Sequence, residues 1–284
     1  LLLAVTLTER AEAQPCVQGW GWRVPITIDN TANANAYTSL EVAVTVDTAT
    51  PIGAGRMLAN GADLRFTDGA SCLCHTVASG LGTAATTVWV RVPTVPASAS
   101  TTIWMYYGNA AAASADDPYC TFSFYEGFED ESLNFTTPCG DLTTNVSGGS
   151  AALSWGSQGL LVSNVALAQS SVYVGEAQVV GATGYWPGLY WALDDANRRS
   201  YSTLIDPSSF RIAVSGNGSD WCQGQNWASP VVPYSSAAGL WQLTWVATGD
   251  IRASFPTVGA VAIAETTLTR NADLRLMLGG ISSG

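Results

Sequence analysis

Apolar and polar positions alternate along much of this chain, most regularly between residues 87 and 107. Valine occupies every second position of Thr87–Val92, and an apolar or aromatic residue occupies every second position of Thr102–Tyr107. Side chains of a β-strand point alternately to its two faces, so the pattern predicts two strands with one buried face each. Between them, Thr94–Ser100 contains Pro96 and small polar side chains, which predicts a connecting loop.

Shorter stretches with strand-like sequence recur along the whole chain and are separated by turn residues. Before this pair, strands are predicted at residues 24–28, 40–47, 61–68 and 72–77; after it, at residues 159–163, 171–180, 188–193, 200–205, 210–215, 240–248, 251–255, 258–269 and 274–278. No stretch keeps the period of about 3.6 residues that marks an amphipathic helix. Many short strands with regular turns are typical of β-sandwiches, so the sequence predicts an all-β protein.

The small and polar stretch Ala110–Pro118 predicts a hinge between two domains. The composition changes beyond it, because most of the tryptophans and acidic residues lie after residue 126. We therefore predict two consecutive β-sandwich domains, at residues 16–125 and 126–284.

Composition and charge restrict the classes of protein and partner. Hydrophobic residues make up 47% of the chain and charged residues only 12%, which supplies a core and excludes wholesale disorder. The formal net charge of −11 repels phosphate backbones and argues against nucleic acid as a partner. It is compatible with neutral glycans or with cations.

The first residues resemble the end of a secretory leader. Leu1–Leu7 is apolar but too short to span a bilayer, so no transmembrane segment is predicted. Ala11-Glu12-Ala13 fits a small-x-small cleavage site, so we interpret residues 1–13 as the end of a signal peptide. The alternative is an apolar first strand. The leader predicts an extracellular or cell-envelope location.

The six cysteines predict disulfides, because their number is even and the chain is predicted to be exported. Cys72 and Cys74 would leave a strand on the same face, so each is predicted to bridge to a distant cysteine. Cys120 and Cys139 flank the domain boundary and are the best candidates for a pair. The candidate disulfide residues are Cys16, Cys72, Cys74, Cys120, Cys139 and Cys222. A single histidine and the absence of paired C-x-x-C motifs argue against structural zinc.

Four motifs in the first half carry a resemblance to a known family. They are Trp22-Arg23-x-Pro25-Ile-Thr-Ile-x-Asn30, Gly61-Ala-Asp-Leu-Arg-Phe66, Val88-Trp-Val-x-Val-Pro93 and Met105-Tyr-Tyr-Gly-Asn109. In this order they resemble a domain-of-unknown-function family of bacterial and archaeal cell-surface proteins that is marked by the Tyr-Tyr-Gly-Asn strand end. The resemblance covers about residues 17–125. It implies a β-sandwich module of a larger secreted or envelope protein, and it implies no activity.

The second half carries a weaker resemblance. Its motifs are Phe128-Glu-Asp, Gly188-Leu-Tyr-Trp, Tyr201, Phe210-Arg-Ile and Trp241-x-Leu-x-Trp245. They resemble the concanavalin A-like lectin/glucanase superfamily of jelly-roll sandwiches. The resemblance implies a lectin-like jelly roll over residues 126–284. Such sandwiches usually end in a strand near the first one, so we predict that this domain is truncated at its C-terminal strand.

Catalytic motifs are missing from the sequence. Retaining glucanases of this class place two glutamates on one strand face, about 5 Å apart, whereas Gly175-Glu176-Ala-Gln178 supplies one carboxylate. Glu129-Asp130-Glu131 are consecutive, so the three cannot all lie on one strand face. His75 is the only imidazole, and its interpretation is structural, because no Gly-x-Ser-x-Gly surrounds any serine. No Walker-type loop opens a helix, so nucleotide binding is not predicted. The prediction is a protein that is not an enzyme.

Two aromatic clusters are the candidate ligand-binding residues. They comprise Trp186 and Tyr190 in the first cluster, and Asp220, Trp221, Gln223, Gln225, Asn226 and Trp227 in the second. Aromatic faces stack on sugar rings, and amides bond to sugar hydroxyls. The alternative is that Trp221 and Trp227 fill one end of the sandwich while Cys222 pins the loop. Four further tryptophans on alternating strands are predicted to be core: Trp89, Trp104, Trp241 and Trp245.

Calcium is the one cofactor that the acidic residues could bind, and no other cofactor is predicted. The candidate oxygen donors are Asp116, Asp117, Glu129, Asp130, Glu131, Asp194 and Asp195. No spacing matches an EF-hand, so a solvated acidic surface is the better interpretation.

The function predicted from these observations is recognition of a glycan or cell-surface polymer by a non-catalytic module of a larger protein. One alternative is a structural spacer or adhesion stalk without a ligand. The other is a glycoside hydrolase whose site is not recognised.

Overall fold

Strands form nearly all the regular secondary structure of the computed structural model, which confirms the all-β prediction. The structure describes residues 2–5, 9–10, 16–129, 133–156, 158–165, 172–181, 187–194, 199–205, 209–215, 225–227, 232–233, 239–246, 250–255, 259–264 and 275–281. The chain divides into two compact units, Leu1–Tyr125 and Glu126–Gly284, each of which is described by itself.

The first unit contains nine strands and two short helices among the described residues. These are β1 (Leu2–Val5), β2 (Glu9–Arg10), β3 (Trp22–Asp29), β4 (Tyr37–Val46), α1 (Ala49–Gly53), β5 (Arg65–Thr67), β6 (Cys72–Leu73), β7 (His75–Ser79), β8 (Thr86–Val95), β9 (Ser100–Tyr107) and α2 (Pro118–Thr121). Within the described part of the chain, no helix is long and apolar enough to cross a membrane.

Two antiparallel sheets build the first unit around one hydrophobic core. One sheet has the strand order β1-β3-β9-β5-β6, with β2 also paired to β3, and the other has the order β4-β8-β7. Both sheets contribute fully buried side chains to the core, among them Ile26, Phe66, Val90 and Ile103. The alternating valines of β8 face this core, as predicted, because each sheet buries its apolar face against the other sheet.

Two of the predicted core tryptophans are not core residues. Trp89 and Trp104 lie half-buried on the outer faces of β8 and β9, opposite the valine-bearing and isoleucine-bearing faces. The guanidinium of Arg23 lies 4.1 Å from the ring of Trp104, and the ring of Phe122 lies 5.7 Å from that of Trp89. Trp241 in the second unit is buried, as predicted. The side chain of Trp245 is outside the described part.

Strand β1 lies antiparallel to β3, with Leu2 opposite Asp29 and Val5 opposite Ile26. Strand β2 pairs with the start of β3. This backbone placement is the one that the apolar-first-strand alternative predicts. The signal-peptide interpretation of residues 1–13 stays a prediction.

Two disulfides close loops within the first unit. Cys16 bonds to Cys72 and Cys74 bonds to Cys120, with Cα–Cα distances of 5.9 and 5.5 Å. The prediction that Cys72 and Cys74 bridge to distant cysteines is confirmed. The predicted Cys120–Cys139 pair is wrong, because α2 folds back beside β7 and places Cys120 at Cys74.

The predicted hinge is attached to the first unit. The guanidinium of Arg65 donates to the carbonyl of Ala113 at 2.6 Å, and Asp116 forms a parallel β-bridge with His75. The amide of Asp117 donates to the carbonyl of His75 at 2.9 Å. Residues 113–117 are therefore tied to both sheets and do not form a free linker.

The second unit contains fourteen strands among its described residues. These are β10 (Phe135–Gly140), β11 (Thr143–Ser147), β12 (Ser150–Ser154), β13 (Gln158–Ser163), β14 (Val172–Val179), β15 (Pro187–Asp194), β16 (Arg199–Ile205), β17 (Ser209–Ser215), β18 (Gln225–Trp227), β19 (Val232–Pro233), β20 (Gly239–Val246), β21 (Asp250–Phe255), β22 (Gly259–Ala264) and β23 (Arg275–Ile281).

One large and one smaller antiparallel sheet dominate the second unit. The large sheet has the order β10-β13-β23-β15-β16-β17-β18, with β19 beside β17, and the smaller has the order β14-β20-β21-β22. Strands β11 and β12 form a separate hairpin. Strand β23 reaches Ile281, beyond the predicted strand end at Leu278, and pairs with both β13 and β15. The predicted hairpin around Asp250 is confirmed by the pairing of β20 with β21.

Candidate functional site

Backbone register aligns two of the predicted ligand-binding aromatic residues across the large sheet. Tyr190 on β15 lies opposite Ser202, Ser202 opposite Ala213, and Ala213 opposite Trp227 on β18. Residues directly opposite each other in successive strands form one row perpendicular to the strands. Three strand spacings separate the ends of this row, which is about 14 Å. Tyr190 and Trp227 are therefore brought to the same level of the sheet.

Two predicted polar ligand residues accompany Trp227 on the same short strand. Asn226 lies opposite Val214, and Gln225 lies opposite Ser215. Strand β18 is the last strand at that end of the described sheet path. The other predicted site residues, Trp186, Asp220, Trp221 and Gln223, lie outside the described residues, as does Cys222.

Glu176, the one carboxylate of the strand compared above with the glutamate pair of glucanases, is exposed on the smaller sheet. Glu176 on β14 lies opposite Gln242 on β20, and Gln242 lies opposite Ser254. The Nε2 amide of Gln242 donates to Oε1 of Glu176. The next residues along this row, Gln242 and Ser254, are neutral. These three positions therefore contain one carboxylate and one amide.

Two of the family motifs, Gly61–Phe66 and Met105–Asn109, meet at the buried carboxylate of Asp63. Asp63 is 1% exposed. Its Oδ1 accepts from the amide of Leu58 at 3.0 Å, and its Oδ2 accepts from the amide of Gly108 at 2.8 Å. The indole Nε1 of Trp20 donates to the carbonyl of Asp63 at 2.6 Å. These bonds join the loop before β5 to the end of β9, so this carboxylate has a structural role.

Arginines stack on the tryptophans around this junction. The guanidinium of Arg56 lies 4.3 Å from the ring centre of Trp22, and that of Arg65 lies 5.1 Å from the ring centre of Trp20. Burial lowers the pKa of Arg65, and the nearby Asp63 carboxylate opposes this shift. Because a guanidinium of the same chain lies over each indole ring, these contacts contribute cation–π stabilisation to the fold.

The only histidine is a core residue, as predicted. His75 is 2% exposed, and its ring centre lies 5.1 Å from that of Phe66. Its Nδ1 lies 3.5 Å from the carbonyl oxygen of Leu73. Burial lowers the pKa of His75, because the charged imidazolium loses its hydration, while the Leu73 carbonyl opposes the shift.

We expect the stability of the first unit to fall as the pH falls below 6.5, the ordinary pKa of histidine. The pKa of His75 is lowered in the folded state, so the unfolded chain binds the proton first and the free energy of unfolding decreases, by at most about 1.4 kcal/mol per pH unit. The loss stops below the folded-state pKa. Urea unfolding between pH 7 and pH 4.5 measures this slope.

The His75→Phe variant is the control for this slope. Phenylalanine keeps an aromatic ring against Phe66 and carries no titrating group. Hydrogen bonds from Thr31 and Thr50 lower the pKa of Asp29 and Asp47, so their contributions are lost only below about 3.8, outside this window. An equal slope in the variant and in the wild type contradicts the assignment to His75.

Two of the calcium candidates accept hydrogen bonds from other residues of the first unit. Asp116 accepts from the hydroxyl of Thr76 at 2.6 Å and from the amide of Val77 at 2.8 Å. Asp117 caps α2 by accepting from the amide of Cys120 at 3.0 Å. Within the described part of the chain, no three histidine, cysteine or acidic side chains form a group able to hold a metal ion. Of the other candidates, Glu129 is exposed, the side chain of Asp194 is not described, and Asp130, Glu131 and Asp195 lie outside the described residues.

Four rings form an aromatic cluster that sequence reasoning missed. The cluster consists of Trp89, Phe122, Tyr125 and Tyr119, joined by ring-centre distances of 5.7, 6.1 and 5.0 Å in that order. It lies on the outer face of the β4-β8-β7 sheet. The sequence signal for this cluster is the run of aromatic residues from Phe122 to Tyr125. A bridge from Cys120 to Cys74 brings this run beside β8.

Comparison with known families identifies part of the chain. Residues 60–144 match the model of a family described as Domain of unknown function (DUF2341). Residues 60–144 are thus similar to this family over less than half of the chain. The matched range includes the Gly61–Phe66, Val88–Pro93 and Met105–Asn109 motifs, which confirms the predicted family. The concanavalin A-like resemblance of residues 126–284 stays a prediction.

No curated protein and no solved structure matches the chain significantly.

Proposed function

We propose that this chain is a non-catalytic module of a secreted or cell-surface protein, and that its second unit binds a glycan or surface polymer. The observation that carries the proposal is the register that aligns Tyr190 with Trp227. Gln225 precedes Trp227 by two residues on the same short strand, which puts both residues on one face of the sheet, whereas Asn226 lies on the opposite face. Aromatic faces with adjacent amides have the chemistry that sugar rings and their hydroxyls require.

Two features of the described residues support a non-catalytic role. Glycoside hydrolysis uses a pair of carboxylates across the bond to be cleaved, and the neighbours of Glu176 on its row are Gln242 and Ser254. Acyl-transfer chemistry needs an accessible base beside a nucleophile, and His75 is buried against Phe66.

Disulfide chemistry supports a location outside the cytoplasm. The bonds Cys16–Cys72 and Cys74–Cys120 both lie in the first unit. Disulfides persist in oxidising compartments and at cell surfaces, and they are rare in the cytosol.

The net charge of −11 favours a neutral ligand over a polyanion.

Replacing Trp227 with alanine is expected to weaken polysaccharide binding about tenfold, which corresponds to about 1.4 kcal/mol. The loss follows from removing one aromatic stacking face. Sedimentation of the full chain with insoluble cellulose, chitin, starch and xylan measures the affinity, and soluble alginate tests a polyanion. Trp221→Ala tests the other tryptophan of the second predicted cluster in the same assay. Val180→Ala is the control, because Val180 is 85% exposed in the second unit and lies outside the row.

The same panel separates the alternatives. Release of soluble sugar by the wild-type chain contradicts the non-catalytic role. The absence of binding to every polysaccharide contradicts the binding role and favours a structural spacer. Equal affinities of Trp227→Ala, Trp221→Ala and the wild type place the binding residues elsewhere.

A further inference from the structure

The aromatic cluster of the first unit lies on the outer face of its β4-β8-β7 sheet. Trp89 projects from the outer face of β8, and Phe122, Tyr125 and Tyr119 extend the ring contacts away from it. Tyr119 is 50% exposed and is the outermost ring of the series. We propose that this cluster is a carbohydrate-contact surface of the first unit, separate from the site proposed on the second unit.

The segment that carries the cluster is anchored at several points. The Cys74–Cys120 disulfide fixes α2, and Asp117 caps the start of this helix. The guanidinium of Arg91 donates to the carbonyl of Cys120 at 3.3 Å. One carboxylate oxygen of Glu41 accepts from both the amide and the hydroxyl of Ser123, at 2.9 and 2.6 Å.

These anchors have a consequence for binding. A surface that is already ordered loses little conformational entropy when a ligand binds, so modest stacking contacts yield measurable affinity. A flexible tail with the same rings would have to be ordered at the moment of binding. The fixed position of the aromatic run thus favours a recognition surface.

The strand next to Trp89 leaves room for a ligand. Ala43 on β4 lies directly opposite Trp89, and Thr45 lies opposite Thr87. Ala43 and Thr45 are both exposed, and Thr87 is half-buried. Small side chains beside a large ring leave that ring's edge accessible from the β4 side, and the threonine hydroxyls supply polar partners there.

The chemistry of this surface favours a neutral glycan. Sugar rings present C–H faces to aromatic rings and hydroxyls to polar groups, and the surface offers the threonines Thr45 and Thr87 for the latter. The carboxylate of Glu41 lies at the same surface, and the whole chain is acidic. A polyanionic polymer would therefore be repelled.

The test uses site-resolved protection of Tyr119 in the full chain. Tyrosine nitration by tetranitromethane is followed by peptide mass spectrometry, with and without whichever of cellulose, chitin, starch or xylan binds the wild type. We expect that polysaccharide to slow the nitration of Tyr119 about threefold or more. Tyr37 is the internal control, because it is half-buried, accepts a hydrogen bond from Asn33 and lies outside the cluster.

A variant pair separates this inference from the function proposed for the second unit. Tyr119→Ala is expected to weaken binding about threefold without changing the melting temperature, since Tyr119 is half-exposed. In Trp227→Ala, protection of Tyr119 by bound polysaccharide is expected to persist. Unchanged nitration of Tyr119 and full affinity of Tyr119→Ala overturn the inference, even where Trp227→Ala loses binding and the second-unit site stands. Binding that is lost in Tyr119→Ala and kept in Trp227→Ala supports the first-unit surface and contradicts the second-unit site.

Discussion

Replacing Gly108 with alanine is expected to destabilise the first unit by about 3 kcal/mol. Gly108 has a φ of +92°, a conformation that L side chains rarely adopt. A Cβ atom there would lie 2.7 Å from Cδ1 of Trp22 and 3.2 Å from the carbonyl oxygen of Arg56. Movement of this backbone would also disturb the bond from the Gly108 amide to Asp63. Urea unfolding at constant pH measures the change.

Gly69 provides a matched control for the backbone effect. Its φ is +95°, and a Cβ added there meets nothing within 4 Å. Gly69→Ala therefore carries the conformational cost alone, about 1 kcal/mol. The difference between the two variants measures the steric cost at Trp22 and Arg56. Equal losses in both variants would show that the contact with Trp22 relaxes freely and that the packing argument is wrong.

Alternation located the strands because it is a local property of the chain. The valines of β8 and the apolar residues of β9 fix which face of each strand is buried. The predicted strand over residues 61–68 is shorter in the structure, where β5 begins only at Arg65. The amide of Leu64 donates to the carbonyl of Gly61, which closes a turn, and Asp63 is held by Leu58 and Gly108. Polar partners from other elements decided this boundary, and alternation carries no information about them.

Aromatic residues were harder to place than valines. Trp89 and Trp104 have the right phase for a strand and enough apolar surface for a core. The opposite faces of β8 and β9 already carry the core residues, so the tryptophans lie on the outer faces. There Arg23 and Phe122 cover parts of the rings. Sequence periodicity separates the two faces of a strand, but covering groups from elsewhere in the chain decide how exposed the outer face is.

Long-range pairing was the part of the candidate site that the sequence could not specify. Tyr190 and Trp227 share a row only through the registers of β16 and β17, and a shift of one residue in either pairing would separate them. The same reason explains the wrong disulfide prediction. Cys120 and Cys139 flank the boundary along the chain, whereas the fold of α2 beside β7 brings Cys120 to Cys74.

Removing the Cys74–Cys120 disulfide is expected to lower the free energy of unfolding by about 4 kcal/mol, the largest effect among these predictions. The bond closes a loop with a sequence separation of 46 residues, so its loss increases the conformational entropy of the unfolded chain. The double variant Cys74→Ser/Cys120→Ser also removes an anchor of α2 and of the aromatic residues that follow it. Urea unfolding of the oxidised wild type and the double variant measures the loss.

The Cys16→Ser/Cys72→Ser variant separates the entropic effect of losing a disulfide from the local release of residues 118–125. Its loop has a similar sequence separation of 56 residues, so the entropic loss is expected to be about the same. Only the Cys74/Cys120 variant releases an anchor of residues 118–125, and limited proteolysis there should become several-fold faster because local opening costs less free energy. Equal cleavage in the two variants would show that Asp117, Arg91 and Glu41 hold this segment without the disulfide.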